Sequence, residues 1–392
     1  MSELSYLEKL LDGVEVEWKT LGTVIKTVTA SSKLKSQAYR ASGKLPIVDQ
    51  GIKFIAGYTD EDVTPIEAGK YIIFGDHSEH IKYVDFPFVQ GADGLKILSP
   101  ISANAKYIYH AFLKFYKKEL SYKRHWSTAQ QTLIPIPCPD NPEKSLAIQS
   151  EIVRILDKFT ALTAELTAEL NMRKKQYNYY RDQLLSFDES SVEWKTLLEA
   201  CDYVDYRGKT PKKTQSGIFL VTAKNIRMGY IDYHASQEFI SEEDYAIVMR
   251  RGLPKKGDVL ITTEAPCGFV AQVNRENIAL AQRVIKYRSK NTQLSNSFLK
   301  HYLLGSQFQD KLMQAATGST VKGIKGSRLH QLKIPIPSKV EQDRIVAILD
   351  KFDTLTNSIT EGLPREIELR QKQYEYYRDL LFSFPKPETV SK

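Results

Sequence analysis

The chain carries few residue patterns that could perform covalent chemistry. Glu17–Lys19 and Glu193–Lys195 each have the acid-x-lysine spacing of a nuclease site, but no acidic partner motif stands nearby. Asp76–His80 contains two histidines, and a metal site there would need further ligands. No Gly-x-Gly-x-x-Gly motif follows a predicted strand, and the chain has no Pro-Pro dipeptide. We therefore expect no catalytic residue and no metal site, and we expect each tryptophan of the repeated Glu-Trp-Lys to pack at a domain edge.

Binding to a polyanion suits this composition better than catalysis. The formal net charge is +8 and the isoelectric point is about 9.0, which favours a polyanionic partner. Two basic loops, Tyr122–Trp126 and Thr317–Arg328, occupy matching places, each after a predicted helix and before an Ile-Pro-Ile-Pro segment. Lysine and arginine suit phosphates, and polar side chains at loop tips or strand ends suit base edges. The alternative is that both are ordinary solvated loops.

The candidate DNA-binding residues come from these two loops and from the ends of predicted strands. In the loops they are Lys123, Arg124, His125, Lys322, Lys325 and Arg328. At the strand ends they are Asp76, His77, Gln90, Asp93, Lys224, Asn225, Arg227, Thr263, Glu264, Gln282 and Arg283.

The elements that must position these residues occur twice. The sequence ILDKF stands at 155–159 and at 348–352, and KQY-x-YYRD stands at 175–182 and at 372–379. Apolar residues around both ILDKF copies alternate at spacings of three and four, which is the seam of a coiled coil. The seam residues are Ile152, Ile155, Phe159, Leu162 and Leu166 in the first copy and Ile345, Ile348, Phe352, Leu355 and Ile359 in the second. This pattern predicts two long helices that pack antiparallel or within a bundle.

The repeat also frames two variable blocks. Val16–Leu21 recurs as Val192–Leu197, and Ile134–Pro137 recurs as Ile334–Pro337. The frame predicts five segments: a globular domain over 1–140, a helix over 141–187, a second domain over 188–337, a second helix over 338–384, and a tail over 385–392.

Each block reads as an α+β domain with a mostly antiparallel or mixed sheet, because neither shows the regular alternation of a parallel sheet. Predicted strands lie at 45–50, 53–58, 70–76, 82–89 and 94–98 in the first block and at 217–223, 230–234, 258–263, 269–273 and 283–287 in the second. A helix follows in each, over 102–120 and over 295–315. The run 69–76 aligns with 257–264, so the two blocks are related.

Chain-wide features bound the class of protein. Cys138, Cys201 and Cys267 are far apart and form no Cys-x-x-Cys pair, which fits a reducing compartment. The first residues lack the apolar run of a signal peptide, and no stretch has the length of apolar sequence that a membrane span needs.

With its duplicated IPIP exit, ILDKF helix and KQYxYYRDxL ending, the chain resembles the specificity (S) subunits of type I restriction–modification systems over nearly its whole length. The resemblance implies two target-recognition domains separated by two long antiparallel coiled-coil helices with a pseudo-twofold repeat. It implies that each domain reads one half of a bipartite DNA target. The helices would set the gap and bind two methyltransferase (M) subunits.

The resemblance further implies that the chain performs no chemistry and binds no cofactor. S-adenosylmethionine would belong to the methyltransferase subunits, and ATP and magnesium to restriction–translocation (R) subunits, in a prokaryotic cytoplasm. Two alternatives stay open: a coiled-coil protein-interaction scaffold without DNA reading, and an enzyme whose site the patterns do not disclose.

Two details concern the helices. Thr163–Leu166 and Thr167–Leu170 form a tandem TAEL unit, and the resemblance implies that the number of such units sets the gap between half-sites. Four residues add about 6 Å of helix. In the second helix, Gly362 and Pro364 replace this unit, and we expect a kink or break there.

Overall fold

The computed structural model describes residues 6–206, 210–358 and 360–385 and divides into two compact units. The first unit combines Met1–Ala164 with Leu369–Lys392, and the second is the continuous segment Glu165–Glu368. Each unit therefore holds one variable block together with parts of both repeated helices. The five-segment division remains a prediction, and the tail beyond Pro385 lies outside the described residues.

The first unit is built from short strands and a few helices around one main core. Its strands are β1 (Val16–Thr20), β2 (Ile25–Val28), β3 (Leu45–Val48), β4 (Gly57–Thr59), β5 (Tyr71–Gly75), β6 (Ile81–Val84), β7 (Val89–Gln90), β8 (Leu95–Pro100) and β9 (Leu133–Pro137). Its helices are α1 (Tyr6–Leu11), α2 (Leu21–Val24), α3 (Ala105–Phe115) and α4 (Trp126–Ala129), with a 3₁₀ turn at Ser36–Ala38. One sheet has the strand order β2-β8-β5-β6, and a second has the order β4-β3-β7, in which β3 and β7 are parallel.

A long helix, α5 (Pro142–Leu184), begins in the first unit and ends in the second. It starts at Pro142 because a proline at the first helical position loses no hydrogen bond, and the Asn141 side chain accepts from the Lys144 amide at 3.0 Å.

The second unit repeats the topology of the first with different residues. Its strands are β10 (Glu193–Thr196), β11 (Cys201–Asp205), β12 (Lys213–Thr214), β13 (Ile218–Val221), β14 (Phe239–Ile240), β15 (Val259–Thr263), β16 (Cys267–Gln272), β17 (Ile278–Leu280), β18 (Val284–Ser289) and β19 (Lys333–Ile336). Its short helices are α6 (Leu197–Ala200), α7 (Glu242–Val248), α8 (Asn296–Leu304), α9 (Ser306–Ala315) and α10 (Gly326–Leu329), with a 3₁₀ turn at Met249–Arg251. The sheet order β11-β18-β15-β16 matches the first unit, and β13 pairs in parallel with β17. The α+β prediction with mixed sheets is confirmed, and β15 occupies the place that β5 has, as the aligned runs predict.

The repeated frame segments pair with each other in both units. β1 pairs antiparallel with β9, so Trp18 stands opposite Pro135, and β10 pairs with β19, so Trp194 stands opposite Pro335. Both tryptophans pack at the margin of their cores, as expected. Prolines are tolerated here because each ribbon has only two strands and therefore free edges.

The second repeated helix is broken, as its glycine and proline predict. It consists of α11 (Lys339–Asn357) and α12 (Gly362–Leu381). Gly362 has φ +81°, and a Cβ there would lie 2.4 Å from the carbonyl oxygen of Thr354, so only glycine fits the break. The second repeated helix therefore spans Lys339–Leu381 with the break that the sequence predicts near Gly362.

The seam residues pack as a helix pair inside each unit. In the first, Phe159 stacks on Tyr377 of α12 at 5.0 Å, while Ile152 shares a core with Phe384. These contacts make the first part of α5 and the last part of α12 antiparallel. In the second unit, Tyr177 and Tyr180 of α5 stack on Phe352 of α11.

The individual seam positions differ in burial. Ile152 and Ile345 are buried, whereas Ile155, Phe159, Leu162, Leu166, Ile348, Phe352 and Leu355 are half-buried. Ile359 lies outside the described residues. Leu166 belongs to the first TAEL unit, and the helical continuity of both units within α5 is confirmed.

Two predicted strands are wrong, and a side-chain hydrogen bond explains each. Over 53–58 only the end is a strand, because buried Lys82 donates to the carbonyl oxygens of Asp49 (2.7 Å) and Lys53 (2.6 Å) and holds the segment as a loop. Over 230–234, Asn225 donates to the carbonyl oxygen of Asp232 at 2.9 Å and replaces a strand partner. The predicted helix over 295–315 is also interrupted, at Gly305, where the backbone is extended.

Within the described ranges, no helix is long and apolar enough to cross a membrane, and no three metal-ligating side chains cluster.

Candidate nucleic-acid interface

In the first unit, buried carboxylates hold the backbone of loop 117–126 against the turn that follows β5. The carboxylate of Asp76 accepts hydrogen bonds from the amides of His125 at 2.9 Å and Trp126 at 2.8 Å. Because these bonds run to the backbone, the basic side chains Lys123 and Arg124 stay exposed. The backbone of the loop is therefore held in place by hydrogen bonds to the fold, while its basic side chains face solvent.

A second acid, Glu79, holds the other half of this loop. Its Oε1 accepts from the Tyr116 hydroxyl at 2.6 Å and the Glu119 amide at 2.8 Å, and its Oε2 accepts from the Leu120 amide at 2.8 Å. Burial pushes the pKa of Glu79 up, but these hydrogen bonds outweigh it and leave the pKa below its ordinary value. Glu79 is therefore ionised at neutral pH. Glu79 was not among the predicted site residues, because the segment Asp76–His80 contains no motif that marks it.

In the second unit, loop 317–328 docks on the end of β15 by backbone pairing instead. Thr317 and Gly323 exchange hydrogen bonds of 2.8 and 2.9 Å, which closes a hairpin. The amide of Ile324 then donates to the carbonyl of Thr263 at 2.9 Å. Lys322, Lys325 and Arg328 are exposed, and Arg328 also donates to the carbonyl of Ala315 at 3.3 Å. Both units thus place a basic loop at the end of the equivalent strand.

Beside each loop, the ends of two parallel strands form a polar corner. In the second unit, Lys224 follows β13 and Gln282 and Arg283 follow β17, and all three line a cleft of about 390 Å³. Lys213 also lines this cleft and lies 2.9 Å from Glu238. Lys224 is therefore brought beside Gln282 and Arg283, although it is far from them in sequence.

Arg283 connects this corner to the loop. Its backbone has φ +71°, its carbonyl accepts from the Thr263 amide at 2.8 Å, and its guanidinium lies 3.5 Å from Glu264. Glu264 in turn pairs with Gly323 of loop 317–328. Thr263 and Glu264, predicted as strand-end candidates, therefore lie at the junction of corner and loop.

The first unit has the same corner with other side chains. Gln50, which follows β3, accepts from the His77 amide at 3.1 Å and donates to the carbonyl of Asp93 at 3.0 Å. The His77 ring stacks on Tyr122 at 5.6 Å, and Asp93 lies 3.3 Å from Lys33. Gln50 and Lys33 were missed, because neither belongs to a recognisable motif.

Four of the predicted DNA-binding residues have side chains that are buried in the fold, and DNA contact by them stays a prediction. Asp76 and His125 serve the loop from within, and the Nε2 of His125 lies 2.8 Å from the carbonyl of Ser121. Asn225 uses its amide oxygen and nitrogen to cap the turn after β13, and Gln90 lies buried in β7. A buried polar group that already has internal partners cannot reach a base edge without losing them.

Arg227 is half-buried and does not line the cleft of the corner. Its guanidinium is 3.5 Å from Asp232, on a turn where Gly229 approaches Asp353 of α11. For the remaining candidates, DNA contact stays a prediction.

A second constellation joins each recognition block to the repeated helices, and sequence reasoning missed it. In the first unit, Asp157 of ILDKF lies 2.7 Å from Lys106 and 3.7 Å from His110, and His110 is hydrogen-bonded with Tyr374 of KQY at 2.8 Å. His110 is buried, whereas Lys106, Asp157 and Tyr374 are half-buried.

The second unit repeats this junction. Asp350 of ILDKF accepts from His301 at 2.7 Å and lies 3.3 Å from Lys300. Tyr177 of KQY is buried beside Phe352. The aspartate of the repeated ILDKF motif therefore binds the helix of each variable block, α3 or α8, and in the first unit the tyrosine of KQY binds α3 as well.

Comparison with known proteins gives a consistent result. The profile of the family described as "Type I restriction modification DNA specificity domain" matches residues 13–173 and 194–369. The chain is 48% identical to the EcoR124I/EcoR124II specificity subunit of Escherichia coli, with 100% of each chain covered. It is 36% identical to the EcoprrI specificity subunit of Escherichia coli, covering 92% of this chain and 93% of that one.

A solved structure supports the fold. The type I restriction–modification S subunit from M. genitalium superimposes with a TM-score of 0.55 at 16% identity, covering 96% of this chain and 98% of that one. The chain belongs to the family of type I restriction–modification specificity subunits, whose role is recognition of a DNA sequence.

Proposed function

We propose that this chain is the non-catalytic DNA-reading subunit of a type I restriction–modification complex and that each compact unit reads one half of a bipartite target. The observation that carries the proposal is the repeated arrangement: a basic loop beside a polar corner, built twice on equivalent strands. Because the corner residues differ between the units, the two half-sites should differ in sequence.

The corners suggest what kind of contact each residue makes. Arg283 and Lys224 offer only donors, which suits the acceptor edge of guanine, whereas Gln282 and Gln50 can both donate and accept, which suits adenine. The exposed cations of the loops suit phosphates, whose contacts give affinity that falls steeply with salt.

The partners follow from this role. The repeated helices would bind two methyltransferase subunits and set the gap between half-sites, and restriction–translocation subunits would complete the assembly on double-stranded DNA in the bacterial cytoplasm. S-adenosylmethionine, ATP and magnesium would act on those partners, and this chain would contribute no catalytic group.

The first experiment is a map of adenine methylation in cells that carry this chain and its methyltransferase, compared with cells that lack this chain. We expect loss of one motif made of two unlike short half-sites with a fixed gap. A contiguous motif, or no change with the methyltransferase expressed, would refute the proposal.

Point variants assign the contacts. Arg124→Lys keeps the charge and should preserve affinity if Arg124 contacts phosphate, whereas Arg124→Ala should lower the salt slope by about one unit. Arg283→Ala should relax specificity in one half-site only. A scaffold without DNA reading would bind partners equally well at every salt concentration and would show neither effect.

Deletion of Thr167–Leu170 tests the helices as a spacer. Removal of about 6 Å of helix should shorten the gap by about one to two base pairs, which are about 3.4 Å apart in B-DNA, and leave both half-site sequences unchanged. A changed half-site sequence would contradict the spacer role.

A further inference from the structure

Loop 117–126 exposes two apolar side chains among its cations. Leu120 is 86% exposed and Tyr122 is 95% exposed, and they stand between Lys117 and Lys118 on one side and Lys123 on the other. Exposure of apolar side-chain surface to water is unfavourable. A surface that keeps leucine and tyrosine exposed beside positive charge is suited to a partner that is anionic and offers flat apolar faces.

These side chains are held in place rather than left loose. Leu120 has φ +55°, in the left-handed region that costs a non-glycine residue conformational energy. The hydrogen bond from its amide to Glu79 maintains this conformation at 2.8 Å. The Tyr122 ring lies on His77 with an interplanar angle of 23°. Strain that the surrounding contacts maintain at an exposed tip points to a functional requirement for that geometry.

The second unit reaches the same result by different means. Val321 is 53% exposed next to Lys322, at the tip of the hairpin that Thr317 and Gly323 close. Gly318 permits this tight hairpin with φ +109°, because a Cβ there would lie 2.1 Å from the carbonyl oxygen of Val321. Two loops of unrelated sequence therefore present an apolar tip beside a cation at equivalent strand ends.

We propose that Leu120 and Tyr122 form a wedge that inserts against the base stack at the edge of the first half-site, and that Val321 acts in the same way at the second. This inference rests on the proposed DNA-reading function. Cations beside each tip would hold the flanking phosphates, while the apolar atoms cover a base face that opens when the duplex kinks. The wedge thereby offsets part of the cost of unstacking one base step, which any enzyme that modifies a base within a duplex must meet.

The test uses the full chain with its methyltransferase subunits and a duplex that carries the target found by methylation mapping. The fluorescent base 2-aminopurine is placed at successive positions of each half-site, and its signal rises where a base is unstacked. We expect a rise at a step bordering the first half-site with the wild-type chain.

Three variants separate wedge from fold. Leu120→Gly suits the left-handed backbone, so its thermal stability should hold or rise, and Tyr122→Ala removes an exposed ring. Both should lose the fluorescence rise and weaken target affinity about tenfold, from the value of one stacked aromatic, while the salt slope stays unchanged. Ile101→Ala, at an aliphatic side chain of the same unit that is 64% exposed, should behave as wild type.

Fluorescence and affinity equal to wild type in both variants would overturn the wedge. The proposed function would still stand in that case, provided that the wild-type complex binds the target. If either variant failed to bind the methyltransferase subunits in the absence of DNA, the wedge would also be overturned, because the loop tip would then be a protein contact. Absence of salt-dependent target binding by the wild-type complex would overturn the wedge together with the proposed function.

Discussion

Replacing Glu79 by glutamine should weaken the attachment of loop 117–126 to the fold without creating a cavity in the core, because the two side chains are nearly equal in size. The carboxylate accepts two hydrogen bonds at Oε1, from Tyr116 and Glu119, and one at Oε2, from Leu120. Glutamine can keep the two bonds at Oε1 if its amide oxygen takes that position. Its NH₂ group then faces the amide of Leu120, and two donors cannot bond.

The size of the effect follows from this geometry. The Leu120 amide is partly buried, so the cost of leaving it without a partner is at most that of a buried donor, about 1–3 kcal/mol. The left-handed conformation of Leu120 costs roughly 1–2 kcal/mol, so the lost bond is comparable to the strain that it maintains. The loop conformation that Glu79 maintains should therefore no longer be the main one populated. The Kd for the target should rise roughly 5- to 150-fold, the factor that corresponds to 1–3 kcal/mol.

The assay compares target binding and thermal unfolding of the wild-type chain, Glu79→Gln and Glu119→Gln. Glu119 is an exposed partner of Lys123 in the same loop, so its variant removes the same charge without touching a buried bond. Exposed pairs contribute about 0–1 kcal/mol, and this control should remain close to wild type. The double variant Glu79→Gln with Leu120→Gly should recover thermal stability, because glycine adopts the left-handed conformation without strain.

The pH dependence has a definite sign. The pKa of Glu79 is lower in the folded chain than in the unfolded chain, so its stabilising contribution is present above the ordinary pKa of 4.5 and is lost as pH falls through the folded value. Wild type and Glu79→Gln should therefore differ at pH 7 and converge in acid. Equal affinities at pH 7, or a control as weak as Glu79→Gln, would refute the idea that this carboxylate positions the loop.

Other consequences concern the cores and the junctions. Asp258→Asn should lower the free energy of unfolding by about 3–5 kcal/mol, because buried Asp258 lies 2.6 Å from Arg288 and 3.7 Å from buried Lys286. Asp202→Asn, at an exposed side chain, should change little, and urea titration measures both variants. Tyr374→Phe should cost about 1–3 kcal/mol through the lost partner of His110, whereas Tyr180→Phe, at an exposed ring, should stay near wild type in the same titration. Burial, together with the nearby Lys300, holds the pKa of His301 below its ordinary 6.5, although Asp350 and Asp353 oppose the shift. The unfolded chain therefore takes up the proton first, and stability should fall as pH drops through about 6.5. His301→Gln should flatten this dependence in thermal melts at pH 7.5 and 5.5.

The sequence predicts the helices, the break in the second of them and the equivalent strands because these features depend on residues that are close together in the chain. Seam spacing gave the helices, the glycine and proline near 362 gave the break, and the aligned runs 69–76 and 257–264 gave equivalent strands. Each of these depends on residues within a few turns or one strand, which is the range over which periodicity and backbone restriction act.

The candidate interface was predicted less well because burial depends on distant residues. Asp76 and Asn225 have the residue types of base readers, but their partners make them internal, and the partners of Asp76 stand at His125 and Trp126. The junction residues His110 and His301 lie outside the short runs that align between the two blocks, so no repeated motif marks them. Lys224, Gln282 and Arg283 were found because each follows a strand, although their common cleft could not be foreseen.

The composition of the two units has a consequence for how the chain is made. The second unit is one continuous segment, whereas the first needs Leu369 onward, with Leu381, Phe382 and Phe384 in its core and the carbonyl of Pro385 bonded to Trp18. During synthesis at about 5–20 residues per second, the N-terminal block must wait roughly 10–40 s after Ala164 for these residues. The second unit can therefore complete its fold before the first, which reverses the usual order on the ribosome. Until then the unfinished first core offers apolar surface to chaperones and proteases.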